Sequence, residues 1–245
     1  MSVIDQTITR AIDKALLKEE ETRNKEHKSS GKLSASMLSW PLQWQILKSL
    51  EVEQKPVDTY TLRKFLRGRT VEDWLVTQIP GIIEKQKFVE YKEVVGYIDV
   101  FVDTSNYEFK AGKMPHEIKS VTNAKFSMIT KNNAPDEAHC LQACLYALAT
   151  DSEYFAIDYV ASDDLRVFTF VLKTEDYTKK VNEIITAYQA QLLKDEVPVF
   201  EPLYAWQKNK MYNNYPEWSE LTIEEIKEKV KRLFPHSTLP ASITG

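Results

Sequence analysis

Ile4, Ile8, Ile12 and Leu16 recur every four residues, with Ala11 and Ala15 between them. That spacing predicts an amphipathic helix. It runs on into the charged, weakly apolar residues 18–28 and breaks at Ser29-Ser30-Gly31. It reads as an N-terminal arm that packs on the rest of the chain or on another subunit. Residues 36–50 read as a helix with Pro41 in its first turn or at a kink. Residues 60–66 and 71–79 read as two helical pieces around Gly68, and Pro80-Gly81 ends the region.

The texture then changes. Residues 88–95 and 97–103 are rich in β-branched and aromatic side chains at alternating spacing, so they predict strands. Residues 104–106 and 111–115 are turn signals, and 116–121 is a short strand. Pro135-Asp136-Glu137 opens a helix reaching about Thr150, with acids suited to its positive end. Residues 154–160 and 166–172 are two further strands, connected through Ser162-Asp163-Asp164. Thr174 starts a helix striped by Tyr177, Val181, Ile184, Tyr188 and Leu192. Thr222-Ile223-Glu224-Glu225 is a capping-box pattern leading into a helix with Ile226, Val230 and Leu233 inward. The order predicts an α/β layer structure, a mixed sheet covered by helices.

Composition changes this picture little. The chain has 245 residues, 43% apolar and 28% charged, enough for one large domain or a domain with a helical extension. No apolar run approaches the ~20 residues of a membrane helix. The charged N-terminus does not read as a signal peptide, so the expected location is the cytoplasm. Cys140 and Cys144 lie one helical turn apart, and two thiols cannot complete a four-cysteine metal site. They read as small buried residues in a reducing compartment rather than as a redox pair. A net charge of −4 argues against coating nucleic acid by charge alone. A basic cluster nevertheless stands at Arg63, Lys64, Arg67 and Arg69.

Three fragments carry candidate chemistry: Gly96-Tyr97-Ile98-Asp99, Glu117-Ile118-Lys119 and Gln142-Ala143-Cys144-Leu145-Tyr146. Asp99 interrupts the apolar run 94–102, where an unpartnered carboxylate is costly. The alternative is that it alternates outward on a half-exposed strand, but Tyr97 and Phe101 share its face, which makes a plain solvent face less natural. Glu117 and Lys119 point the same way on a strand. If the chain turns back after Asp103, the two acids sit on adjacent strands ~4.8 Å apart. Both then reach one ion with oxygen ligands at ~2.1 Å. Lys119 could hold or deprotonate a water or pair with a phosphate. Glu72 is a third candidate acid, at a helix start beside the basic cluster, where it could equally serve the helix dipole. Gln142 and Tyr146 are ~6 Å apart along a helix, with His139 on the same side. They could bond phosphate oxygens, or simply form a polar helix face with one half-buried tyrosine.

In this order, Glu72, Gly96-x-x-Asp99, Glu117-x-Lys119 and Gln142-x-x-x-Tyr146 resemble the successive motifs of the PD-(D/E)XK nuclease superfamily. The branch resembled contains RecB nuclease domains, lambda-type exonuclease and CRISPR-associated adaptation nucleases. Ile98 stands where the family name has proline. The resemblance implies a restriction-endonuclease-like core, with an arm over residues 1–30 and a nuclease domain over 31–245 that includes a C-terminal helical extension. It implies Mg²⁺ or Mn²⁺ held by Glu72, Asp99, Glu117 and the Ile118 carbonyl, with Lys119 positioning the attacking water. Gln142, Tyr146, Arg69 and His139 become expected DNA contacts. Relatives with an iron–sulfur cluster place cysteines on both flanks; residues 40–44 and 212–218 have none, so no cluster is expected.

The implied function is a metal-dependent deoxyribonuclease, an exonuclease of phage or mobile-element recombination, repair or replication, working in the host cytoplasm. DNA is the implied partner, with a single-strand annealing or single-strand-binding protein and self-association as further expectations, and no membrane. Two rivals differ in class. One is a non-catalytic DNA-binding or assembly module that keeps the fold. The other is an unrelated α/β protein, which would place Asp99 and Glu117 on distant strands.

Overall fold

Apolar strands alternating with amphipathic helices fold here into a six-stranded mixed sheet with helices on both faces. The computed structural model describes residues 6–26, 32–49 and 56–193. The predicted helix after Thr222, the C-terminal extension and the break at residues 29–31 lie outside them. Among the described residues no helix is long and apolar enough to cross a membrane.

The helices are α1 (Thr7–Glu26), α2 (Leu42–Ser49), α3 (Thr59–Val76), α4 (Asn123–Asn132), α5 (Glu137–Ala149) and α6 (Glu175–Leu193). The strands are β1 (Leu33–Ser34), β2 (Ile82–Tyr91), β3 (Val94–Asp103), β4 (Lys113–Val121), β5 (Tyr154–Ala161) and β6 (Val167–Lys173). Strand β3 is the hub. Antiparallel β2 follows one edge of it from Val94 to Val102. The other edge is shared: β1 runs parallel at Val94 and Val95, and β4 antiparallel from Val100 to Asp103. Beyond Val100, β4 leaves β3 and pairs in parallel with β5 from His116 to Val121, and β5 pairs with β6. A notch therefore opens where β3 and β4 part.

The larger core lies between the sheet and α5, α6 and α2. Helix α5 is buried nearly all round, from Cys140 to Ala147 except Gln142, as a central helix must be. Both cysteines are free and buried there, and burial pushes their thiols up to about 11 and about 12. A smaller core packs Val71 and Leu75 of α3 against Val100, Val102, Ile118 and Val160 on the opposite face.

Several elements differ from the sequence reading. Gly68 does not divide α3, which is one helix; a single interior glycine costs only ~1 kcal/mol, and Leu62, Val71 and Leu75 anchor both halves. Glu72 consequently sits inside α3, not at a helix start. The helix expected over 36–50 is a short 3₁₀ turn, Ala35–Met37, followed by α2, because Pro41 starts a new helix and its carbonyl accepts from Gln45 N–H. The β2–β3 turn lies at Lys92-Glu93, inside the segment 88–95 expected as one strand. Both residues have positive φ, 48° and 67°, as a two-residue hairpin turn requires. Helix α4 has no counterpart among the elements the sequence predicts; Thr122 caps it, its side chain accepting from Lys125 N–H. On α6 Ile185 is fully buried along with Val181, whereas Ile184 is only partly buried.

The N-terminal stripe also differs. Leu16 is buried, but Ile8 and Ile12 are exposed. Helix α1 contacts α3, and the ion pairs between them are Arg63–Asp13 at 2.6 Å and Arg69–Glu19 at 2.8 Å.

Candidate active site

Side-chain alternation inverts at Asp99. Ile98 joins the larger core and the Cα of Gly96 faces Tyr146 of α5. Past Asp99, Phe101 joins that same core while Val100 and Val102 enter the smaller one. Residues 98 and 101 cannot share a side of a regular strand. Tyr97 and Phe101 therefore do not share a face as expected: Tyr97 is 56% exposed and Phe101 is buried. The opposite strand is irregular at the same level. Pairs Lys85↔Val100 and Lys87↔Ile98 bracket Gln86 and Asp99, and Gln86 has φ of +48° in mid-strand.

This inversion places the Asp99 carboxylate at the notch, where Oδ2 accepts the Ile118 N–H at 2.7 Å. Continuing the register Val100↔His116 sets Asp99 beside Glu117. The two acids come from adjacent strands, not distant ones. Lys119, two residues on, donates to Glu117 Oε1 and lies 3.4 Å from Gln142 Oε1. Glu117 Oε2 is buried without a hydrogen-bond partner. Gln142 Nε2 in turn donates to Tyr146 Oη at 3.0 Å.

Glu72 reaches toward this group from the α3 side. Its Oε1 accepts from Gln86 Nε2 at 2.9 Å, and Gln86 also lies against Asp99. Sequence alone does not point to Gln86, because residues 82–87 carry no alternating apolar signal and the pattern starts the strand at residue 88. Its signal is structural, a non-glycine residue held left-handed inside a strand.

The electrostatics follow from crowding three acids around one lysine out of water. Burial, then Asp99, pushes Glu117 up to about 8. Burial, then Asp99, pushes Glu72 up to about 7. Burial raises Asp99 as well, against the pull of Lys119 and the Ile118 N–H. For Lys119 burial works the other way, but Glu117, Asp99 and Glu72 outweigh it and hold the ammonium above its ordinary value. A group of this kind gains by taking up a further cation.

The remaining expected residues are placed differently. Tyr146 is 2% exposed and lies against Gly96, so it supports Gln142 instead of reaching outward. His139 Nδ1 is bonded to Tyr159 Oη at 2.8 Å. Burial, then Lys119, lowers His139 to about 3, so it is a neutral ring near neutral pH. Arg69 is held by Glu19 on the surface. Among the described residues no three His, Cys, Asp or Glu side chains close around a point as a complete metal-ligand set. Asp99 and Glu117 form an open pair with a backbone carbonyl between Glu117 and Lys119.

No protein-family model matches the sequence, and no curated protein matches it. Among solved structures, the chain is similar to an alkaline exonuclease (LHK-Exo) from Laribacter hongkongensis at 13% identity, covering 67% of this chain and 89% of that one with a TM-score of 0.49. The same exonuclease in complex with dAMP gives 14% identity, the same coverage and a TM-score of 0.49. A structure named SSO0001 gives 14% identity over 89% of this chain and all of that one, with a TM-score of 0.48.

Proposed function

We propose that the chain is a divalent-metal-dependent deoxyribonuclease that hydrolyses phosphodiester bonds and acts as an exonuclease. The observation that carries this reading is Glu117 Oε2, a buried carboxylate oxygen without a partner, set beside Asp99 and Lys119 where two strands part. An oxygen so placed is costly unless a cation takes it. Oxygen-only donors and an unfinished set suit Mg²⁺ or Mn²⁺, ions that keep several waters.

Asp99, Glu117 and the Ile118 carbonyl would hold the ion, with Glu72 on its α3 side. A bound divalent ion would make a coordinated water more acidic and offset charge developing on the phosphate oxygens. The chain's own groups do the rest. Lys119, kept as an ammonium, donates toward the attacking water or a phosphate oxygen. It cannot accept a proton in that state, so its role is orientation and charge. Gln142, fixed through Tyr146, holds Lys119 in place. Asp99 is turned by the Ile118 N–H, and Gln86 steadies Glu72. Arg69 and its basic neighbours on α3 would contact the DNA backbone on this reading. On this reading residues 1–30 are an arm and 31–245 the nuclease domain, DNA is the partner, and a single-strand annealing or binding protein works beside it.

The test is digestion of end-labelled, blocked-end and circular DNA with Mg²⁺, Mn²⁺ or chelator. The expected result is metal-dependent loss of label from free ends, with circular DNA spared. Asp99→Asn and Lys119→Ala, shown to be folded, should lose about 10²–10⁴-fold in rate. Cutting of circles would make it an endonuclease. Retention of DNA without cutting in any metal would sink the enzyme and leave a binding module.

A further inference from the structure

The β2–β3 hairpin holds two large rings out in water. Phe88 and Tyr97 are cross-strand partners. Their ring centroids lie 5.4 Å apart with the planes at 61°, edge to face. Phe88 is 53% exposed and Tyr97 56%. Their neighbours fix the face on which they stand. Val89 and Ile98 belong to the larger core beneath α5, so residues 88 and 97 leave on the opposite face. An aromatic cross-strand pair steadies a hairpin, but only through the edge and face that meet. The remaining ring surface is left to solvent.

The pair adjoins the acid group. Tyr97 is two residues from Asp99 and Phe88 two from Gln86, about 7 Å along each strand. The notch opens toward the same face, because α5 closes its other side. Tyr146 lies against Gly96 on β3, and Gln142 lies 3.4 Å from Lys119 on β4. A phosphate therefore reaches Asp99 from the side of the two rings. The apolar island they form is small. Gln86 and Asp99 bound it at one end, and Glu90, ion-paired with Lys32 at 2.7 Å, bounds it at the other. Two half-exposed rings offer about 200 Å², against the ~800 Å² per partner of a standard protein interface. The island suits one flat ring.

We propose, resting on the nuclease reading for the phosphate at Asp99, that Phe88 and Tyr97 stack an unpaired base of single-stranded DNA beside that phosphate. Geometry selects the class. Inside a duplex both faces of a base are covered by its neighbours, so only an unpaired base offers a face to a protein ring. Every base has such a face, so the platform separates single from double strands and not one sequence from another. The two rings position the strand and do not touch the reacting atoms. The substrate is then single-stranded DNA or a frayed end.

The test measures binding to the full chain by fluorescence anisotropy. Three probes of equal length are used: oligothymidylate, an abasic strand with the same phosphates, and a blunt duplex. Ca²⁺ replaces Mg²⁺, since it fills a carboxylate site with looser geometry and lets binding be read apart from cutting. Oligothymidylate should bind at least tenfold more tightly than the abasic strand. Phe88→Ala and Tyr97→Leu should each weaken it by about 5–100-fold, while the abasic strand and the duplex change less than twofold. Tyr97→Phe, which keeps the ring, should keep the preference. A 2-aminopurine in the strand should lose fluorescence on the wild type and on Tyr97→Phe, but not on Tyr97→Leu. Equal affinity for oligothymidylate and the abasic strand would overturn the proposal, as would equal losses on all three probes. Digestion in Mg²⁺ separates the two readings. Cutting without the base preference removes the platform and leaves the nuclease. The preference without cutting keeps the platform on a binding module.

Discussion

Gly96 leaves room for Tyr146. A Cβ on residue 96 would lie 2.6 Å from Tyr146 Cε1 and 2.9 Å from its hydroxyl. The tyrosine ring is buried, and its hydroxyl receives the Gln142 amide beside Lys119, so the glycine admits the support of the site. Gly96→Ala should cost about 1–3 kcal/mol in urea unfolding, an overpacking cost. Combining it with Tyr146→Ala should recover part of that, giving a coupling a double-mutant cycle can read. Additive losses would show that the two residues do not meet.

The raised acids make stability depend on pH in a defined direction. With metal chelated, the folded chain holds protons on Glu72 and Glu117 that the unfolded chain releases above 4.5. Their stabilising contribution is complete below 4.5 and is lost as pH rises through about 7 and about 8. Melting temperature in chelator should therefore fall between pH 5 and pH 8.5. Glu117→Gln should flatten that fall, and Mg²⁺ at pH 8 should stabilise the wild type but not the variant. A melting temperature that climbs over this range would contradict the assignment.

Gln86 should show stability and activity moving apart. A left-handed non-glycine residue costs ~1–2 kcal/mol, which glycine relieves while losing part of the gain to unfolded-state entropy. Gln86→Gly should leave stability level or raise it by up to about 1 kcal/mol, and should slow metal-dependent cleavage because Glu72 loses its hold. Gln86→Val should lower stability as well. Chemical denaturation and single-turnover cleavage read the two separately.

Arg69 is tied to Glu19 in an exposed pair, so Arg69→Ala should cost under about 1 kcal/mol of stability. If Arg69 meets a phosphate when DNA binds, the variant should bind all sequences more weakly and lower the salt slope by about 1. An unchanged slope would leave the arginine to helix α1 alone.

The sequence by itself determined the strand and helix order around residues 88–192 apart from helix α4, since burial imposes a period near two on strands and 3.6 on helices. It also paired Glu117 with Lys119, because residues two apart on a strand point the same way. It placed Gln142 and Tyr146 on one helix face for the same kind of reason. Only the tertiary structure decided the rest. The orientation of Asp99 depends on a local inversion shared by β2 and β3, which no single-strand pattern records. Gln86 became part of the site through a backbone conformation and a cross-strand neighbour, neither of which is visible along the chain. The notch exists because β4 parts from β3 after His116 while β5 continues along its other edge, a choice made by packing between distant segments. Strand alternation along β4 then turns Glu117 toward Asp99 and His116 to the opposite face.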